Sequence, residues 1–146
     1  MFKVVIDINI FVSSLIKKDS VPARLIQLWR ENAFLIIISE QMLKEIQRVL
    51  QYPHIKDKYK LTSEDINLAI SSIEKDAIVL TDVLELDVIK EDPDDNKVLA
   101  CALEVRADYI ISGDKHLLDL RIFEDIPIVK VKEYLDILDQ KKSNQR

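Results

Sequence analysis

Lys3-Val-Val-Ile-Asp7 opens the chain with a short run of apolar, mostly β-branched residues that ends at a carboxylate. Such a run, with no polar alternation, reads as a strand buried on both faces, the kind found in a parallel sheet covered by helices. Outward from it the pattern returns. Phe34 to Ile38 and Tyr109 to Ile111 read as further strands, Ala77 to Leu80 as a short one, and Ile128 to Val131 as the last. Helical patterns fill the intervals. One starts near Asn9. Another runs from Val21 to Asn32 behind Ser20 as N-cap, with Pro22 tolerated in its first turn. Ser39 heads a helix from Glu40 to Gln51, which stops before Pro53. Thr62 and Asp65 have capping-box spacing and open a helix to Asp76. Pro93 or Asp94 opens one through Arg106, a short turn is expected at Lys115 to Leu118, and a last helix spans Lys132 to Asp139. Thr81 to Asp92 is acidic and shows no clean period. Buried strands alternating with helices predict an α/β fold, a three-layer α/β/α sandwich around a mostly parallel sheet.

Whole-chain properties narrow the function. The 146 residues suit one domain, expected over residues 1–140, with a polar tail at 141–146 expected to fray. A single cysteine, Cys101, excludes an internal disulfide, and with only two histidines the mixed Cys/His zinc sites are excluded as well. A reducing, cytoplasmic setting is expected, with no signal peptide and no membrane span; the longest purely apolar run, Ala33 to Ile38, is far too short to cross a bilayer. The single glycine, Gly113, excludes a P-loop and a dinucleotide fingerprint, which need two or more. The net charge of −5 argues against a protein that coats nucleic acid, but not against an enzyme whose metal ion supplies local positive charge.

The carboxylates carry the chemistry. In an open parallel sheet, ligands gather at the carboxyl ends of the strands. Asp7 directly follows the first strand, and Asp114 follows Tyr109 to Ile111 closely. Two more arrive on helices. Met42, Leu43, Ile46, Val49 and Leu50 make one apolar stripe, and Glu45 borders it. Val98, Leu99, Ala102 and Val105 make the inner stripe of the helix after Pro93, and Asp95 stands one turn before Leu99, facing the same crevice; Asp94 is rotated by about 100° and reads as a cap. Clustered carboxylates repel unless a cation neutralises them, and Mg2+ or Mn2+ is the natural choice for oxygen ligands. Around these acids, Asn9 either bonds the Asp7 carboxylate or caps its helix, and Ser112 either orients Asp114 or satisfies the turn. His116 lacks the glycine pattern of a nucleophile elbow. Lys56, Lys58 and Lys60, with Tyr59, form the densest basic segment.

These motifs together resemble the PIN-domain nuclease family, in particular small prokaryotic members grouped with VapC-like toxins. The motifs are Asp7-Ile-Asn9, Ser39 with Glu45, Asp92-Pro-Asp-Asp95 before Leu99-Ala-Cys-Ala102, and Ala107-Asp-Tyr-Ile-Ile-Ser-Gly-Asp114. The resemblance runs from Met1 to Leu135. It implies metal-dependent cleavage of single-stranded or structured RNA, a homodimer, and inhibition by a cognate antitoxin. It assigns Asp7, Glu45, Asp95 and Asp114 to the acidic catalytic and metal positions, and Asn9 and Ser112 to supporting ones. One departure is Ile8, where the family usually has threonine. Two other readings stand beside it: a non-catalytic RNA- or protein-binding module of the same fold, and a haloacid-dehalogenase-type phosphatase, for which Asn9 stands where a general-acid aspartate is needed.

Overall fold

A computed structural model describes residues 1–144 of the chain. Its six strands are β1 (Lys3–Ile6), β2 (Leu35–Ser39), β3 (Ile78–Leu80), β4 (Tyr109–Ile111), β5 (Ile122–Phe123) and β6 (Ile126–Val129). They lie in the order β3-β2-β1-β4-β6-β5. Every pairing is parallel except β5 with β6. The mostly parallel sheet expected from the apolar runs is what forms.

The helices are α1 (Ile8–Ile16), α2 (Val21–Arg30), α3 (Glu40–Leu50), α4 (Pro53–Lys56), α5 (Ser63–Asp76), α6 (Asp95–Val105), α7 (Lys115–Leu120) and α8 (Val131–Asn144). Parallel strands need crossovers, and crossovers are right-handed. The chain moves outward to β2 and β3 and then back past β1 to β4, so α6 crosses on the face opposite the earlier helices, while α8 returns to pack on α2. Accordingly α1 packs on α2 and α3, α3 packs on α5, and α6 lies across β1, β2 and β4. The core is the sheet's own aliphatic content: Val4, Val5, Ile6, Ile36, Ile37, Ile38, Ile110 and Ile111 are all buried. No described helix is long and apolar enough to cross a membrane.

Local signals set most boundaries. Ser20 Oγ accepts from the Ala23 N–H and Ser39 Oγ from the Met42 N–H, as N-caps do. The Thr62–Asp65 capping box is present in both directions. Four details differ from the sequence reading. Asp7, not Asn9, caps α1, because the helix starts at Ile8, directly after the residue that ends the strand, and the Asp7 carboxylate accepts the Asn9 N–H. The single-turn helix α4 forms around Pro53, a residue suited to a first turn but expected only to end the preceding helix. The last strand is shifted to Ile126–Val129 and gains a partner, β5, through a tight hairpin in which Glu124 and Asp125 both take positive φ. Finally, α8 continues past Asp139 through Lys141–Asn144; residues 145 and 146 of the expected tail lie outside the described residues.

At the amino ends of the strands, Phe2, Phe34, Tyr109 and Tyr134 stack edge to face. Tyr134 is fully buried, its hydroxyl has no hydrogen-bond partner among the described residues, and burial pushes its pKa up. A stranded hydroxyl costs more than it contributes. Tyr134→Phe is therefore expected to raise unfolding stability by about 1 kcal/mol in urea titrations; a loss of stability would show that the hydroxyl is satisfied.

Candidate functional site

The site begins with the pairing of β1 and β4. The Asp7 N–H donates to the Ile111 carbonyl at 2.9 Å, extending the ladder one residue past β1. Ser112, the next residue beyond β4, is fully buried. Its Oγ donates to Asp7 Oδ2 at 2.7 Å and accepts from the Asp114 N–H at 2.9 Å. One hydroxyl thus ties together the acids at the ends of two neighbouring strands. Ser112 both orients Asp114 and satisfies the turn, and it holds Asp7 as well, which no local pattern signals. Asp114 then caps α7, its Oδ1 accepting from the His116 N–H at 2.8 Å.

Asp95 enters from the first turn of α6 and is 5% exposed. Asp92, Asp95 and Asp114 each present a carboxylate oxygen, and these lie within 4.8 Å of one another. Asp92 is the site residue that sequence reasoning missed. Its signal was its place one helical turn before Asp95 in Asp92-Pro-Asp-Asp95. The irregular segment 81–92 delivers it, and a buried asparagine holds that segment. Asn96 Oδ1 accepts from the Val88 and Ile89 N–H groups at 3.0 and 2.8 Å, and its Nδ2 donates to the Ile89 carbonyl at 2.8 Å.

Glu45 is buried on α3, as its place beside the apolar stripe required. It lines the same cleft as Asp7, Asp92, Asp94 and Asp95. Its oxygens are engaged elsewhere, however. Oε1 accepts from Arg48, and Oε2 accepts from Lys97 Nζ at 3.0 Å. Lys97 also reaches Asp94 Oδ1 at 3.0 Å. Asp94 stands at the helix boundary, but its side chain makes no capping bond; it pairs with Lys97 instead. Asn9 is exposed at the cleft, and its backbone, not its amide group, bonds Asp7.

The electrostatics follow from this packing. Burial pushes the Asp7 carboxyl above the usual range, against the hydrogen bonds from Ser112 and Asn9 that lower it, and the charges of Asp114 and Asp92 push it further. Burial, then the adjoining carboxylate of Asp114, then the charges of Asp92 and Asp7 drive Asp95 up to about 8. Asp95 Oδ2 is buried and has no hydrogen-bond partner among the described residues. A buried carboxylate oxygen without a donor is costly, and a cation is the partner that satisfies it. The converging donors are all oxygens, which fits a hard divalent ion such as Mg2+ or Mn2+.

Comparison with known proteins agrees with this picture. Residues 3–116 match the PIN domain family. An uncharacterized protein of Methanocaldococcus jannaschii is 33% identical over 119 residues, which span 82% of this chain and 75% of that protein. A chain in the crystal structure of VapBC2 from Rickettsia felis, bound to a DNA fragment from their promoter, superposes with a TM-score of 0.60. The superposition covers 88% of this chain and 98% of that one at 12% identity, a likeness of fold.

Two outcomes are expected. With metal removed, folded Asp95 holds its proton up to about pH 8, whereas the unfolded chain releases it near 3.8. Between those values the folded state binds more protons, so stability falls as the pH rises through this window. Asp95→Asn removes that loss: chemical denaturation in EDTA should show the variant gaining on wild type from pH 4 to pH 8. Parallel curves would mean that Asp95 titrates normally. Asn96→Ala strands the Val88 amide and the buried Ile89 amide and carbonyl, costs roughly 2–4 kcal/mol, and weakens Mn2+ binding in calorimetry by releasing Asp92; unchanged metal affinity would detach the 81–92 segment from the site.

Proposed function

The chain belongs to the PIN-domain family, and from that premise we propose that it is a divalent-metal-dependent endoribonuclease. Its substrate is single-stranded RNA, and it acts as a homodimeric toxin restrained by a cognate antitoxin. The observation that carries the nuclease reading is the unpartnered, buried Asp95 Oδ2 beside oxygens of Asp92 and Asp114. The antitoxin is supported by the VapC-like motifs of the sequence and by the likeness in fold to a VapBC2 chain.

Asp95, Asp114 and Asp92 would hold Mg2+ or Mn2+, with Asp7 alongside and Glu45 closing the cleft from α3. A divalent ion held there supplies Lewis acidity toward a phosphodiester and lowers the pKa of water. The chain's own groups do the rest. Ser112 keeps Asp7 and Asp114 in fixed orientation through its two hydrogen bonds. Lys97 offsets the charges of Glu45 and Asp94, so that the rim of the cleft repels a phosphate less than five carboxylates would. Asp95 gives up its proton to bind the cation, which makes metal affinity rise with pH. The phosphatase alternative lacks its general acid: the residue two beyond Asp7 is Asn9, which has no carboxylic proton to donate.

The test is a cleavage assay on single-stranded RNA with millimolar Mn2+, beside thermal melts of the same samples. Wild type should cut RNA and melt at higher temperature with the metal. Asp95→Asn and Asp7→Asn should stay folded, lose cleavage by at least about a hundredfold, and lose much of the metal-induced shift. Full cleavage by both variants would refute the site. No cleavage and no metal effect in wild type would favour a non-catalytic binding module.

A further inference from the structure

Two clefts meet at the acids. The first, already described, holds Glu45, Asp92, Asp94, Asp95 and Lys97. The second opens on the other side of Asp7 and Asn9, which line both. It is an open groove of about 760 Å³ that runs past Ser112, Gly113 and Asp114 to the loop between β6 and α8. Apart from Asp7 and Asp114 at its head, every charged residue lining it is a lysine: Lys115, Lys130 and Lys132. All three are exposed.

The chain as a whole carries a net charge of −5. The first turn of α8 also forms part of the wall, so the positive end of a 14-residue helix lies beside Lys130 and Lys132. The one acid of that turn, Glu133, is directed at the Lys130 N–H. Val21, Pro22, Ile10 and Val131 supply an apolar wall, and a Cβ built on Gly113 would meet nothing, so the floor beside the acids is open. A groove lined by three lysines, two carboxylates and an apolar wall suits a polyanion with apolar rings, whose phosphates are drawn to lysines and whose reacting phosphate sits at the acids.

We propose that this groove is the path of the RNA strand: Lys115, Lys130 and Lys132 hold phosphates to one side of the scissile bond, and the strand leaves over the Lys97 cleft on the other. This rests on the nuclease reading above for the reaction, but it assigns positioning residues that neither the sequence motifs nor the family match supply. It also separates this surface from the densest basic segment of the sequence. Lys60 and Tyr59 line a different cavity with Leu15, Leu50 and Ile66, whose one acid, Asp65, is not among the clustered carboxylates.

The experiment compares wild type with Lys130→Gln/Lys132→Gln and, as a control of equal charge change, Lys58→Gln/Lys60→Gln. Binding of a short fluorescent single-stranded RNA is followed by anisotropy in Ca2+ over a range of salt, and cleavage by initial rates in Mn2+. Melting temperatures check that each variant is folded. The groove variant should bind about tenfold more weakly at low salt, and its slope of log affinity against log salt should be shallower by roughly 1.4, the loss of two single-strand phosphate contacts. Its KM should rise far more than its kcat falls, and the control should follow wild type. Equal affinity and slope for the groove variant and wild type would overturn the proposal, as would an equal loss in the control. Wild type that binds RNA through these lysines yet never cuts it would leave the groove standing and refute the nuclease reading. Wild type that does not bind RNA would overturn both.

Discussion

The site depends on the parallel register of β1 against β4. Ile6 lies beside Ile111, so the next residue on each side, Asp7 and Ser112, must also be neighbours. A slip of one strand by one residue would turn its own residue to the opposite face and part the pair. The register is held by side chains buried on both faces of the sheet, and the Asp7 N–H bond to Ile111 carries it past the strand end. Everything at the cleft is referred to that point. Ser112 reaches Asp7 because the strands are in register, and Asp114 is oriented because Ser112 is held.

Placing carboxylates there opposes the rest of the fold. Asp7 and Asp95 are buried; Asp114 and Asp92 raise the pKa of both, and Asp7 raises that of Asp95. The structure relieves this unevenly. Asp7 receives two hydrogen bonds, Glu45 two cationic partners, and Asp94 a lysine. Asp95 Oδ2 receives nothing from the described residues. Charge is therefore balanced around the rim and left unbalanced at the centre, where a cation would sit. The lysines follow the same division: Lys97 is committed to carboxylates, whereas Lys115, Lys130 and Lys132 line the other groove, whose described lining holds no carboxylates besides Asp7 and Asp114.

Much of this was legible in the chain. The apolar, β-branched runs specify buried parallel strands because no other arrangement covers both of their faces. The polar residues before the helices specify caps because the first amides of a helix need acceptors. Asp7, Asp95 and Asp114 could be placed at one edge because parallel strands end together and helices entering from that edge begin there. Glu45 could be seen as buried from its place on the α3 stripe. These are matters of local periodicity and direction, which a sequence carries in full.

What only the tertiary structure decided are contacts between residues distant in sequence. Asp92 joins the cluster because Asn96 holds an aperiodic segment, and hydrogen bonds to an irregular backbone have no period to read. Lys97 meets Glu45 across 52 positions of the chain, so the pairing depends on how α6 lies against α3. Ser112 meets Asp7 across 105 positions for the same kind of reason. The lysine groove was invisible because its residues are single, ordinary surface lysines on two separate segments, while the dense basic run at Lys56 to Lys60, conspicuous in the sequence, lies by a different cavity. Periodicity settles which way a side chain faces, inward or outward; only packing settles which other side chain it faces.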